Sequence, residues 1–234
     1  ELYVRMDSML GRIREHAGAN TVLMVLSDHG FASFRRGVNL NAWFLREGYL
    51  ALKPGASGES EYLRDVDWEN TRAYAVGLAG VYLNLRGREA KGIVTSGEEA
   101  ERLKAELKEK IERLRDPDGD RQVVREAVDM GRRYHGPYLD QSPDLMIGYA
   151  DGYRVSWEAA VGKVAGEMVS DNEKSWSGDH CVDPDLVPGV LFCNRKVSAE
   201  TPSIVDIAPT MLDLYGIEPP RHMEGKPLGI RTGA

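Results

Sequence analysis

The stretch Thr21-Val22-Leu23-Met24-Val25-Leu26-Ser27-Asp28-His29-Gly30 joins a continuous apolar run to a turn carrying a carboxylate and an imidazole. Six apolar or β-branched residues bounded by turn formers predict a strand buried on both faces, of the kind found in a parallel sheet sandwiched by helices. Upstream, Leu2, Met6, Met9, Leu10, Ile13 and Ala17 recur at helical spacing between charged residues, and Gly18 and Asn20 end the pattern. A helix feeding such a strand is half of an α/β unit. The predicted fold class is therefore α/β, with a mainly parallel sheet and helices on both faces.

Further along, residues 41–47 predict a short helix and 49–52 a short strand, followed by a loop over 54–60. Residues 72–76 and 81–85 predict a hairpin around Gly77 and Gly80. Ser96 and Glu99 have capping-box spacing, and Ala100, Leu103, Leu107, Ile111 and Leu114 then follow at helical intervals up to the breaker Asp116-Pro117-Asp118-Gly119. Its charged side, around residues 104–113, reads as a solvated face. Strands are expected over 122–128, 144–149 and 190–193. A helix is expected over 206–215, with Asp206 as its cap, Pro209 in its first turn and Gly216 as its stop. Residues 50–130 form a smaller inserted α/β lobe in this reading, and 1–50 with 130–234 form the core.

Among 234 residues, 42% are hydrophobic and 29% charged, as in globular proteins. Lys and Arg total 30 against 37 for Asp and Glu, a formal net charge of -7. With no basic run, a nucleic-acid polymer held by bulk charge is excluded as the expected partner. No apolar stretch is long enough for a transmembrane helix. Two cysteines, Cys181 and Cys193, are too few for a disulfide framework and leave the compartment open, as the sequence leaves the oligomeric state.

Two clusters carry the chemistry. Ser27-Asp28-His29-Gly30-Phe31 lies where the buried strand ends, and ligands of open α/β sheets bind at the carboxyl ends of strands. Neighbouring side chains on a strand point to opposite faces, so Asp28 and His29 converge only if the chain turns there. A carboxylate oxygen and an imidazole nitrogen suit Zn²⁺ or Mn²⁺, and two ligands on one loop make half a tetrahedral site. The second cluster is Trp176-Ser177-Gly178-Asp179-His180. Alone, each reads first as a turn with a solvated histidine, ahead of a metal site.

Together with Asp206-Ile207-Ala208-Pro209-Thr210-Met211-Leu212 and Gly225-Lys226-Pro227-Leu228, they form an ordered series that resembles the alkaline phosphatase superfamily, in its type I phosphodiesterase and nucleotide pyrophosphatase branch. The likeness extends to residues 38–41, 48–50, 135–138 and 142–145. It implies an alkaline phosphatase-like fold, present in part, and a hydrolase of phosphoric esters. In such enzymes the Asp-His motif supplies two ligands of one metal ion and the Gly-Asp-His motif a histidine ligand of another. By position, the implied metal ligands are Asp28, His29 and His180, for two divalent ions, zinc first and manganese second. The implied chemistry is a two-metal in-line displacement at phosphorus, one ion activating the nucleophile and the other stabilising the leaving oxygen. The two ions would also supply the positive charge with which an acidic protein holds a small phosphate ester.

The family's nucleophile and remaining ligands lie upstream of these motifs. The resemblance therefore implies a nucleophile upstream of Glu1, missing from these residues, and a chain inactive alone. Ser27 is inside the strand-end motif and is not a substitute. A non-catalytic scaffold of the same fold, or a phosphoglycerate mutase-like or sulfatase-like relative, is the alternative. His16 reads as a helix C-terminal partner and His135 and His222 as structural. Asp179 is a supporting neighbour or a turn residue. Cys181 is set aside, because a further ligand so close to His180 requires strained geometry.

Overall fold

The structure, a computed structural model, describes residues 1–231. In chain order the elements begin with α1 (Leu2–His16), β1 (Met24–Leu26), β2 (Ala32–Val38), α2 (Leu40–Arg46), β3 (Ala73–Val76) and β4 (Gly80–Leu83). Next come α3 (Glu98–Glu112), β5 (Val124–Asp129), α4 (Met130–Arg133), β6 (Leu145–Tyr149), β7 (Gly152–Val155) and α5 (Trp157–Ala160). The chain ends with β8 (Val169–Asp171), β9 (Gly178–Asp179), β10 (Leu191–Cys193) and α6 (Ile207–Leu214). It divides into two units, one of residues 31–187 and one of residues 1–30 with 188–234.

In the larger unit, β2 is the central strand of one sheet. It pairs in parallel with β7, through Val38↔Val155, and antiparallel with β8 and β9, through Val38↔Val169 and Ala32↔Asp179. A second sheet has the order β3-β4-β6-β5 and is antiparallel throughout. The β3–β4 hairpin forms where expected, turning at Gly77 with φ +76. Helix α3 buries Ala100, Leu103, Leu107 and Ile111, the stripe its spacing predicts, and packs against β5. Its N-terminus differs by a residue: Gly97 is the cap, and Glu99 reaches back to the N–H of Thr95 at 3.0 Å rather than to Ser96. Nor is its charged side merely solvated. Lys104 lies 3.1 Å from Asp129, and Lys108 donates to the Ala127 carbonyl at 2.7 Å, so both tie the helix to β5. Residues 49–52 contribute only a bridge, Leu52↔Val66, in place of the expected strand.

Local chemistry explains several residues of the motif series. Asn39 caps α2, its Oδ1 accepting the N–H groups of Asn41 and Ala42 at 3.0 and 3.2 Å. Buried Asn41 then pairs with both backbone groups of Ala75 at 2.8 Å, fastening α2 to β3. Asp144 accepts from Arg88 Nη2 and from the Leu83 N–H, each at 2.7 Å.

The smaller unit contains α1, the β1–β10 pair and α6. Helix α1 forms as expected, yet none of its residues is buried, and Leu2, Val4, Met6, Met9 and Ile13 face solvent. His16 Nδ1 donates to the Arg12 carbonyl at 2.8 Å, as its place at a helix C-terminus predicts. Asp206 caps the 3-10 turn Ile204–Asp206 through the Ser203 N–H at 2.8 Å, and α6 itself receives no side-chain cap from it. The same carboxylate accepts the Lys226 N–H at 2.8 Å, while Thr210 Oγ1 accepts that of Leu228 at 2.9 Å, so the two C-terminal motifs are tied together. Gly216, at φ +67, ends α6.

The α/β class stands, but the mainly parallel sheet does not: among the described residues the sheets are mostly antiparallel. Residues 21–26 yield only the three-residue β1, which pairs antiparallel with β10 and leaves Val25 and Leu26 more than a third exposed. An apolar run shows that burial is favourable without naming the partner strand or its direction. Direction follows from the connections. The short Gly77-Leu78-Ala79 link between β3 and β4 permits only an antiparallel return, whereas a parallel pair needs a long crossover.

Candidate metal centre

Strand β1 delivers the first cluster. Beyond Leu26, the Ser27 N–H donates to the Val190 carbonyl at 3.0 Å, and the Val190 N–H returns a bond to Ser27 Oγ at 3.1 Å. The adjoining chain passes so close that a Cβ at Gly189 would overlap the Ser27 carbonyl oxygen. Held at that point, the backbone bends through Asp28, whose Oδ1 accepts the His29 N–H at 3.1 Å. The bend brings the two side chains to one side, with Asp28 Oδ2 3.7 Å from His29 Nε2.

Two ligands on one tetrahedral zinc, with bonds of about 2.0–2.1 Å, stand about 3.4 Å apart. The observed separation is close to that span. His29 Nδ1 lies 2.9 Å from the Gly30 carbonyl oxygen, which can only accept, so Nδ1 carries a proton, and in the neutral ring the lone pair is then on Nε2. This is the tautomer a metal ligand requires. The Asp28 side chain is 78% exposed and that of His29 31% exposed, so an ion can reach both. By donor type, spacing and tautomer, the pair fits a divalent cation.

The second cluster stands in the larger unit, where β9 pairs with the start of β2. Donor atoms of Asp179, His180 and Cys181 all lie within 4.8 Å of one another. Cys181 thus stands near the other two donors, although a ligand so close to His180 was expected to require strained geometry. Burial, with a hydrogen bond to Asp179, pushes the Cys181 thiol up to about 11.

Asp179 is also otherwise engaged. Oδ1 accepts the N–H groups of His180 and Cys181 at 2.7 and 3.2 Å, and Oδ2 lies 3.1 Å from Arg154 Nε. Burial alone would raise its carboxyl. The Cys181 thiol, those two N–H groups and the Arg154 charge outweigh burial and hold it below the usual carboxylate range. His180 differs from both neighbours. Its side chain is 45% exposed, with the Phe31 ring edge-on at 5.9 Å, and its Nδ1 lies 3.5 Å from Asp179 Oδ1. Of the three, His180 is the most exposed, and Asp179 accepts the N–H of the backbone that carries it.

Glu1, the residue upstream of which the nucleophile is expected, is itself no part of either cluster. It is exposed at the head of α1, where its Oε1 accepts from Arg5 Nη2 at 2.9 Å one helical turn on. Sequence reading named Asp28, His29 and His180 but passed over Arg154. The pattern Gly152-Tyr153-Arg154-Val155 gives little signal, because Tyr153, Arg154 and Val155 are all buried and the alternation that marks a half-buried strand is lost.

The family model described as type I phosphodiesterase / nucleotide pyrophosphatase matches residues 1–175. Asp28 and His29 fall inside that span, and His180 lies just beyond it. No curated protein matches the chain. Among the described residues, no helix is long and apolar enough to cross a membrane.

Proposed function

The chain belongs to the type I phosphodiesterase / nucleotide pyrophosphatase family of the alkaline phosphatase superfamily, a family of phosphoester hydrolases, and from that premise we propose that it acts as a metal-dependent hydrolase of small phosphoric esters. Asp28 and His29 hold one divalent ion, and His180 helps to hold a second. The observation that carries this reading is the Asp28–His29 pair, whose 3.7 Å donor separation and fixed tautomer suit one ion. When bound, the two ions supply Lewis acidity to an in-line displacement, easing deprotonation of the nucleophile and stabilising the leaving oxygen. Asp28 brings a negative charge to its ion. His29 keeps Nε2 aimed through its bond to Gly30. Zinc is the first choice for an oxygen and nitrogen donor set of this kind, and manganese the second.

The nucleophilic hydroxyl and the remaining ligands are assigned to chain upstream of Glu1, outside these 234 residues. Ser27 Oγ is occupied in joining the ends of β1 and β10. The apolar residues of α1, none of them buried, are consistent with further chain packing there.

The test uses the full-length protein and bis(p-nitrophenyl) phosphate as probe. A chelator should abolish hydrolysis and added Zn²⁺ or Mn²⁺ restore it, and H29A and H180A should each lower the restored rate by more than ~100-fold, beyond the range usual for residues that only support ligands. Hydrolysis that survives chelation, or an H29A rate equal to the parent's, would overturn the assignment.

A further inference from the structure

Arg154 is 2% exposed, an unusual burial for a permanently charged side chain. It extends from β7 and reaches Asp179 on β9, both strands pairing with β2 through Gly37↔Arg154 and Ala32↔Asp179. The path is lined by rings. The guanidinium carbon lies 5.0 Å from the Phe34 ring centroid and 4.2 Å from that of Trp157, so the cation is stacked between an aromatic of β2 and one of α5. At the end, Nε stands 3.1 Å from Asp179 Oδ2 as an ion pair rather than an aligned hydrogen bond, and Nη1 is buried without a hydrogen-bond partner among the described residues.

A buried cation whose Nε and Nη1 both lack a hydrogen bond is costly, and the carboxylate that meets its charge is that of Asp179. What that carboxylate does is local. Its other oxygen accepts the N–H groups of His180 and Cys181, the two residues that follow it. From this chain of contacts we infer that Arg154 is a positioning residue for the metal centre: it holds the Asp179 side chain turned toward β7, and Asp179 in turn fixes the backbone from which His180 projects. This rests on the assignment of His180 as a metal ligand. The pairing also explains why Asp179 is not a ligand itself, since Oδ2 faces a guanidinium and Oδ1 faces two backbone donors.

The experiment compares full-length parent, R154M, R154K and H180A, with L107A as a core variant outside this network. Two quantities are read: the Zn²⁺ dissociation constant, by competition with a chromophoric chelator, for the site that H180A removes, and amide exchange at His180 and Cys181 without metal. R154M should weaken that site by about 10–100-fold, the usual effect of losing a group that orients a ligand, and should speed exchange of both amides. R154K, which keeps the charge but loses the fork and the stack, should fall between R154M and the parent. L107A should lose stability yet keep the parent affinity. If R154M binds zinc within about twofold of the parent while H180A has lost the site, Arg154 is only structural and the inference fails with the ligand assignment intact. If H180A binds as the parent does, the ligand assignment itself fails and takes the inference with it.

Discussion

Asp116 shows how much a single residue can carry without any motif to announce it. Its side chain is fully buried, accepts the Tyr153 hydroxyl at 2.6 Å and lies 3.4 Å from Arg36 Nη1. Burial would raise its carboxyl, but the Tyr153 bond, the Asp118 N–H and the charges of Arg36 and Arg121 prevail and lower it. Tyr153 moves the other way, pushed up to about 12 by burial and by the adjacent carboxylate. A carboxyl depressed in the folded state stabilises fully above its unfolded value, near pH 4, and loses that contribution as pH falls through the folded value. D116N should therefore cost about 3 kcal/mol at pH 7 in urea unfolding, and the gap between parent and variant should narrow below pH 4. A gap that stays constant from pH 7 to pH 3 would contradict the role given to the charge. Sequence reading took Asp116-Pro117-Asp118-Gly119 as a helix breaker and nothing more. The breaker is local and legible, whereas the partner Arg36 is distant in sequence and its pairing is set only by the fold. The proposal of Asp28, His29 and His180 as ligands came from ligand chemistry, which restricts residue type as well as spacing, and from a family resemblance that ordered the motifs.

At the scale of elements, what could be read was what is stabilised locally. Helix α3 and the β3–β4 hairpin follow from spacing and turn residues, and the stop of α6 from Gly216. Strand β2, the centre of its sheet, went unread. Its inward positions are Phe34, Arg36 and Val38, and the arginine among them hides the alternation until its buried ion pairs are known. Residues 21–26 erred the other way, because an apolar run was read as a fully buried strand in a parallel sheet. The close approach behind the first cluster supplies a test at this scale. Gly189 admits no side chain beside the Ser27 carbonyl. G189A should force the ends of β1 and β10 apart, cost about 1–3 kcal/mol as overpacking does, and weaken zinc binding at Asp28 and His29. A variant with parent stability and zinc affinity would show that this contact does not set the loop.

For the whole molecule, the formal net charge is -7, and the two proposed ions would bring local positive charge to a phosphate ester. Under the proposed assignment of the nucleophile and remaining ligands to other residues, the 234-residue chain alone should bind Zn²⁺ weakly and hydrolyse bis(p-nitrophenyl) phosphate hardly at all, because each ion would lack part of its ligand set; turnover by the rigorously purified chain at the rate of the full-length protein would contradict that assignment. The proposed function makes one demand that neither cluster meets by itself: ions held by Asp28 with His29 and by His180 must serve a single phosphorus centre. Anomalous scattering from crystals of the zinc-loaded full-length protein, recorded on either side of the zinc edge, measures this directly. The account predicts two peaks about 4 Å apart, one bonded to Asp28 and His29 and the other to His180. Peaks absent from these residues, or His29 and His180 Nε2 atoms more than about 12 Å apart in the zinc-loaded crystal, would contradict it.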